Sequence, residues 1–365
     1  MNILIFNWRD IKNPKAGGGE LYFHEIAKVW AKKGNKVFWV CGGWKNCKKK
    51  EFVDGITIIR VGNEFSLYLL APLVYLKLKD KIDAIIDTEN GIPFFTPLFS
   101  KKPKILHIHH IHRDVWFKET ENKGIIEKFL ALIGYLLEIK LMPLVYKKTR
   151  IITISPSSNE GVKKLFKKEA RIVYSGIDLK KHIPGKKAKN PEIVFIGRLK
   201  KYKSIDVLLY ALNLLKNENI TTYILGKGDD EERLKDIARR LKLKNVFFKG
   251  FVGEKEKIRR LQKAWAVINP SMIEGWSITN IEANACGTAV IGSSVPGIKD
   301  SIINNKTGLL FRYGDHKELA EKIRRLLKNK KERERLEKEA LKWARNFSWE
   351  KSAEKYLRVM EEVNK

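Results

Sequence analysis

Short apolar runs rich in β-branched residues recur along the chain at 2–8, 36–41, 56–61, 83–87, 104–109 and 150–155, and helix-patterned stretches such as 20–33 and 65–79 separate most of them. Strands that alternate with amphipathic helices predict a parallel sheet covered by helices. The first half therefore reads as a Rossmann-like domain. The stretch 180–190, dominated by Lys, Pro, Gly and Asn, has little to bury and is the expected linker. The pattern then restarts, with strands expected at 192–197, 221–225, 245–249, 266–269 and 289–292. The predicted fold class is α/β, with two Rossmann-like domains: 1–185, then 190–345, followed by a C-terminal helix over 346–365 for which packing back on the N-terminal domain and packing on the second domain both stand open. Asn346-Phe347-Ser348 breaks the helical pattern there, and Ser348 is placed to cap the last helix.

The most apolar long helix spans 125–146. Glu127, Lys128, Glu138 and Lys140 interrupt it and Pro143 is expected to kink it. A charge at bilayer depth costs about 3 kcal/mol, so the helix is not expected to span a membrane. A core or domain-edge helix and a membrane-surface face both remain open.

Composition adjusts this picture in three ways. Hydrophobic residues at 44% and charged residues at 32% indicate folded cores with solvated surfaces. A formal charge of +31 points to phosphates, nucleic acid or anionic lipid as the class of partner. Cys41, Cys47 and Cys286 lack the spacing of a zinc knuckle or a secreted disulfide framework. With an N-terminus that reads as a strand, a cytoplasmic location without a secretory signal is expected.

Chemistry concentrates in the second half. After a predicted strand, Pro270-Ser271-Met272-Ile273-Glu274-Gly275-Trp276-Ser277 leads into a helix beginning near Ile278 and ending at Gly287. Ser277 reads as N-cap and Gly287 as C-cap, which leaves Glu274 in the loop and Glu282 on the second turn. Helix N–H groups favour an anion, and two carboxylates can accept hydrogen bonds from sugar or ribose hydroxyls. Carboxylates repel phosphate, so positive charge must come from elsewhere. Arg198 and Lys203, directly after another strand end at Gly197, are placed to supply it.

On these residues the chain resembles the GT-B retaining glycosyltransferases of family 4. The pattern comprises two glutamates with seven residues between them, Glu274 and Glu282, and a Gly-Arg strand end with Lys five positions on, Arg198 and Lys203. It continues through Gly226-Lys227-Gly228, Gly250-Phe251-Val252, Gly287-Thr288 and Lys306-Thr307-Gly308-Leu309-Leu310. Ala289 stands where the family often has Pro, and Ser294-Val295-Pro296-Gly297-Ile298 replaces a Gly-Gly turn.

The resemblance implies a nucleotide-diphosphate sugar as donor. Arg198 and Lys203 would hold the diphosphate, Glu282 the ribose and Glu274 the transferred sugar. Gly197, Gly226, Gly228, Gly275, Trp276, Ser277 and Ile278 would line the donor site. It further implies two domains facing a cleft, retention of anomeric configuration, and no metal or other cofactor.

In the first half, Ala16-Gly17-Gly18-Gly19-Glu20 opens a helix without the spacing of a dinucleotide fingerprint. By itself it is a tight turn or a phosphate-approach loop; the resemblance sets Gly18 and Gly19 against the donor. In His107-Ile108-His109-His110-Ile111-His112, strand alternation puts His107 and His109 on one face and His110 on the other. The cluster shows no helical pair and no carboxylate close in sequence that would make a metal site. The resemblance points to His109 as the sugar-contacting, catalytic histidine, with His110 as the alternative and an acceptor contact. Glu89 and Asn90, at the end of the 83–87 strand, are the further acceptor candidates.

The acceptor itself, glycan or lipid-linked, is not readable, and an anionic membrane surface is a possible partner. A disaccharide phosphorylase of the same fold and a non-catalytic nucleic-acid binder stand as alternatives. The latter is disfavoured because exposed aromatics interleaved with basic residues are not concentrated anywhere.

Overall fold

A computed structural model describes residues 1–113, 115–120 and 124–364. The chain divides into two units, one made of 1–176 with 349–365 and the other of 177–348. The segment 177–190 is built into the second unit. Ala188 N donates to Lys263 O at 2.9 Å, Trp265 Nε1 donates to Ala188 O at 2.8 Å, and Gln262 Nε2 donates to Ile183 O at 2.9 Å. Its Lys, Pro and Gly content marks irregular backbone that is nonetheless anchored.

The first unit holds β1 (Asn2–Phe6), β2 (Lys36–Cys41), β3 (Lys50–Val53), β4 (Ile56–Arg60), β5 (Ala84–Glu89), β6 (Lys104–Ile108), β7 (Arg150–Thr153) and β8 (Arg171–Ile172). They form one sheet in the order β3-β4-β2-β1-β5-β6-β7-β8. Neighbours run parallel except β3 and β4. The apolar pattern does not reveal β3, because this edge strand, Lys-Glu-Phe-Val, buries no residue fully.

Ile3, Leu4, Ile5 and Phe6 of β1 are fully buried, as a central parallel strand covered on both faces requires. Leu4 and Phe6 pack with Ala71, Tyr75, Ile85 and Phe94. The helices Gly18–Lys32 and Trp349–Asn364 pack on each other. Trp30 Nε1 donates to Ala353 O at 2.9 Å, and the Trp30 and Tyr356 rings lie 5.4 Å apart. The last helix is therefore part of the first unit.

The apolar 125–146 stretch is helical from Ile125 to Leu136, widens into a π turn over Leu137–Leu141 and closes with Met142–Val145. Pro143 has no N–H to donate and crowds the preceding turn, and the wide turn accommodates it.

The second unit holds β9 (Glu192–Ile196), β10 (Thr221–Leu225), β11 (Val246–Gly250), β12 (Ala266–Asn269), β13 (Val290–Ser293) and β14 (Gly308–Phe311), all parallel, in the order β11-β10-β9-β12-β13-β14. One buried cluster joins Ile193, Phe195 and Ile224 to helix residues such as Leu208 and Leu234. Another joins Val194, Val267 and Val290 to Leu261, Ala283 and Ile298. Strand order reverses between β1 and β5 in the first unit and between β9 and β12 in the second. Loops leaving the carboxyl ends of strands at such a reversal splay apart and open a crevice.

His107 is fully buried in the first unit, with ring centroids of Phe23 and Tyr22 at 4.7 and 4.9 Å. Burial, reinforced by His109, drives its pKa well below the usual value, so the folded state keeps it neutral. The unfolded chain protonates near pH 6.5 and then binds more protons than the native state, so this residue's contribution falls as pH drops below 6.5. Relative to the parent, His107→Phe should gain stability on acidification by about 1.4 kcal/mol per pH unit below that point. Urea midpoints at pH 7.5 and 5.5 measure this; an unchanged gap would show that His107 is not held neutral.

Candidate functional site

The reversal in the second unit is where the predicted donor residues gather. β9 runs into Gly197-Arg198-Leu199, and these residues lie flush on the 226–228 loop that follows β10. Gly197 N donates to Leu225 O and Leu199 N to Lys227 O, each at 3.0 Å. A β-carbon on Gly226 would stand 1.9 Å from Gly197 O, and one on Gly228 would stand 2.0 Å from Leu199 O. Both glycines are therefore demanded by backbone packing.

A short turn, Lys201–Lys203, then presents Lys203, and Met272 N donates to Tyr202 O at 2.8 Å, tying this turn to the loop after β12. That loop brings Glu274 onto Lys203 as a close ion pair. Burial pulls the pKa of Lys203 down, but Glu274 outweighs it with help from Tyr202, and the net shift is upward. The ammonium is thus charged at neutral pH. Arg198 is exposed nearby, its Nη2 3.4 Å from Tyr202 Oη.

Beneath the loop runs a polar network that the sequence reading missed. Asn269 Nδ2 donates to Ser277 Oγ at 2.9 Å and to Asn280 Oδ1 at 3.0 Å, and Asn280 Nδ2 donates to Ser301 Oγ at 2.9 Å. Ser271 Oγ lies 2.8 Å from Asn269 Oδ1 and 3.2 Å from Glu274 Oε1, so its one proton serves either acceptor. An Asn closing an apolar strand and another inside an apolar helix were the signals available.

The helix Ile278–Ala285 starts at this loop. Ser277 does precede it, but as a left-handed residue with φ +65° and no side-chain cap, and its hydroxyl is engaged by Asn269. Trp276 was expected to line the donor site; its side chain is instead buried, 5.1 Å from the Phe347 ring. Gly275 packs under Gly297, where a β-carbon would stand 2.0 Å from Glu274 O.

Glu282 does not join the Lys203 pair. Its Oε1 accepts from Lys257 Nζ at 2.8 Å and lies 3.6 Å from His182 Nε2. Burial lowers the pKa of Lys257, and Glu282 together with Glu254 more than restores it. Lys257 and His182 carried no sequence signal, since only the fold brings them to the helix.

In the first unit Gly18 is exposed at the start of its helix, and Glu20 Oε2 accepts from Gly17 N at 2.7 Å. A β-carbon on Gly19 would stand 3.1 Å from His109 Nε2, so the glycine loop and the histidine lie against each other. Burial, with smaller effects from His110 and His112, lowers the His109 pKa to about 3. The ring is a neutral hydrogen-bonding group there. His107 and His109 share a face, 4.6 Å apart, while His110 pairs with His112 at 4.4 Å.

Asn90 Nδ2 donates to Asn7 Oδ1 at 2.8 Å across the reversal between β5 and β1. Glu89 is buried and accepts from Gly91 N at 2.6 Å. Burial pushes its carboxyl up to about 7, opposed by His110. The sequence reading found no carboxylate beside the histidines; the fold supplies two. His112 Nδ1 lies 3.3 Å from Glu89 Oε1 and 3.8 Å from Glu138 Oε1, and donor atoms of all three residues fall within 4.8 Å of one another. Glu138 accepts from His112 N at 2.6 Å, Arg113 N at 2.9 Å and Trp116 Nε1 at 3.1 Å, which assigns it to holding that loop.

Comparison with known proteins places this arrangement. The solved sucrose-phosphate synthase from Thermosynechococcus elongatus superposes with a TM-score of 0.84 at 19% identity, covering 99% of this chain and 98% of that one. Anabaena HepE in complex with UDP-glucose superposes at 0.79 and 17% identity, covering 99% and 100%. These likenesses define the fold as GT-B.

Two family models then match in succession. Glycosyltransferase Family 4 covers residues 16–181 and Glycosyl transferases group 1 covers 177–343. The chain belongs to this family and is a glycosyltransferase. An uncharacterized glycosyltransferase of Methanocaldococcus jannaschii is 26% identical over 287 residues, 74% of this chain and 71% of the relative. Matches to two others from the same organism span 60% of their length.

Because Gly228 sits against Leu199 backbone, which cannot yield as a side chain tip would, Gly228→Ala should cost about 1–3 kcal/mol. Urea denaturation followed in the second unit measures it, and an unchanged midpoint would refute the flush packing of the two loops.

Proposed function

We propose that the protein is a retaining hexosyltransferase that takes its sugar from a nucleotide-diphosphate donor and passes it to a glycan or lipid-linked acceptor. The observation that carries this reading is the convergence at the β9–β12 reversal of a charged Lys203, its partner Glu274 and the exposed Arg198. The UDP-glucose described with Anabaena HepE supports a nucleotide sugar as donor.

In the proposed complex Lys203 and Arg198 face the diphosphate. When the bond from the anomeric carbon to the phosphate oxygen breaks, negative charge grows on the leaving diphosphate, and these fixed cations lower its energy. Glu274 accepts from sugar hydroxyls, Glu282 from ribose hydroxyls, and N–H groups at the start of Ile278–Ala285 add dipole. His109, neutral against Gly19, contributes a hydrogen bond and no charge. Retention follows if a phosphate oxygen on the departing face takes the acceptor proton. With two cations in place the reaction needs no metal.

The test joins binding and kinetics. UDP, GDP and their sugars are screened by thermal shift, where a ligand at a hundred times its Kd adds about 2.7 kcal/mol. Lys203→Ala should abolish the shift for the preferred nucleotide and lower kcat by about 100- to 1,000-fold, with parent activity unchanged by EDTA. Consumption of sugar 1-phosphate without use of any nucleotide sugar would replace the proposal with phosphorolysis.

A membrane-facing acceptor is favoured by the helix Ile125–Leu136. Ile125, Ile126 and Phe129 are 87%, 73% and 61% exposed, and Leu130, Leu132, Ile133 and Leu136 are exposed with them. Exposed Lys140, Lys147, Lys148, Arg150, Lys163, Lys164 and Lys167 follow in the same unit. Among the described residues no helix is long and apolar enough to cross a membrane. An anionic bilayer surface satisfies both features, since its boundary takes the apolar side chains and each well-placed cation adds about 1 kcal/mol. The protein should float with phosphatidylglycerol vesicles and not with neutral ones, and Phe129→Asp should weaken flotation; indifference to both changes would remove the membrane from the proposal.

A further inference from the structure

The first unit contains a cavity of about 220 Å³ that none of the residues discussed above explains. It lies at the carboxyl ends of β1, β2 and β4, three neighbouring strands, and its walls come from the loops leaving them. Trp8 follows β1, Trp44 follows β2, and Asn63 and Glu64 follow β4. Asn13 and Arg9 add polar wall from the loop that leads toward Gly18.

The cavity is stitched by backbone. Gly42 N donates to Trp8 O and Gly43 N to Gly62 O, each at 3.1 Å, while Trp8 Nε1 donates to Glu64 O at 3.1 Å. A β-carbon on Gly42 would stand 3.2 Å from Asn63 O and 3.3 Å from Trp8 O, so three loops meet where only glycine leaves room. The Arg60 guanidinium lies 4.6 Å from the centre of the Trp44 ring, and Arg60 is itself held by Asp10 at 2.7 and 3.0 Å. Both indoles are therefore placed by a rigid frame.

Two indoles that line one cavity with the amides of Asn13 and Asn63 and the carboxylate of Glu64, each indole backed by a guanidinium, Arg9 at Trp8 and Arg60 at Trp44, match one class of ligand. A pyranose ring offers an apolar C–H face to an indole and hydroxyls around its edge. Asn63 Oδ1 accepts from Phe65 N and Ser66 N at 2.9 Å, which leaves its Nδ2 as a donor, and Glu64 supplies an acceptor. Glu64 lies 3.7 Å from Lys15 and offsets its charge, and Arg9 packs its guanidinium 4.4 Å from the centre of the Trp8 ring. The position extends the acceptor candidates: Trp8 N donates to Asn7 Oδ1 at 2.7 Å, the same oxygen that accepts from Asn90.

We infer that the Trp8–Trp44 cavity is a saccharide subsite, holding a sugar unit of the acceptor next to the one that receives the transferred residue. The acceptor is then at least a disaccharide unit. The inference rests on the glycosyltransfer reading for its role, while the binding it asserts can be measured without turnover.

Saturation-transfer NMR with methyl glycosides of glucose, galactose, mannose and N-acetylglucosamine, and with uridine and adenosine as controls, tests it. At least one glycoside should bind saturably at millimolar concentration. Trp44→Ala and, separately, the milder Asn13→Ala should weaken that binding by about tenfold or more, a loss of about 1.4 kcal/mol. Each variant should keep the parent's thermal shift with the preferred nucleotide, which certifies its fold. Glycoside signals identical in parent and both variants, no saturable glycoside, or nucleosides alone binding would each overturn the subsite. Glycosides bound through Trp44 in a parent that ignores every nucleotide would support the subsite and count against the donor assignment.

Discussion

A lysine ammonium brought against the end of a buried strand loses hydration, and it stays charged only where a carboxylate restores what water supplied. Lys203 meets that condition through Glu274, which together with Tyr202 outweighs the burial that opposes it. The rest of the second unit's site is arranged around keeping these two groups in register. Lys203 reaches its position because 197–199 can lie on 226–228, and that contact exists because two positions there have no side chain. Glu274 reaches its position because its loop is pinned to Tyr202 O on one side and packs against Gly297 on the other. Removing either glycine contact would move a charge, and at this distance a displaced charge loses its partner before it finds solvent.

The same logic governs the layer beneath. Asn269, Asn280, Ser271 and Ser301 are buried, and an amide or hydroxyl in that position is costly unless paired. Their mutual bonds fix the loop that carries Glu274 and hold the Ser277 hydroxyl toward Asn269, while the left-handed backbone of Ser277 departs from the extended conformation of a capping residue. With no side chain capping it, the helix start keeps its positive end directed outward. A rule about capping does not hold here, where the backbone is left-handed and a buried network takes up the same oxygen.

What could be read from the sequence follows from this hierarchy. Alternating strands and helices, the glycines at strand ends and the charged residues spaced along one loop are local features, and from them the two α/β units and Lys203 and Glu274 as candidate residues could be read, though not the ion pair these two form. Features that depend on distant segments could not be read that way. β3 is an edge strand whose exposed side chains resemble a loop. Lys257 and His182 meet Glu282 only after three separate segments fold together. Trp276 looked like a ligand contact by its place in the motif, yet its large apolar surface is buried on Phe347, because an indole beside an available core position gains more from burial than from exposure. The stretch at 180–190, expected as a linker, shows the reverse, since polar composition says nothing about the backbone bonds that anchor it.

The first unit places its titratable groups by opposite means. At Glu89 and His109 burial dominates, opposed by His110 at the carboxyl, and it drives the carboxyl up to about 7 and the imidazole down to about 3. Both shifts favour the uncharged form. Lys203 and Glu274 resist burial by pairing charges, whereas Glu89 and His109 yield to it by giving theirs up; elsewhere in the first unit Arg60 and Asp10 keep their buried charges by pairing. Groups that can exist without charge suit contact with hydroxyls, which offer hydrogen bonds and no counter-ion, whereas a diphosphate requires the cations found at the other sheet. This contrast between Glu89 with His109 and Lys203 with Glu274 is a physical reason, apart from any likeness to known proteins, that supports the proposed assignment of sugar hydroxyls to the first pair and phosphate to the second.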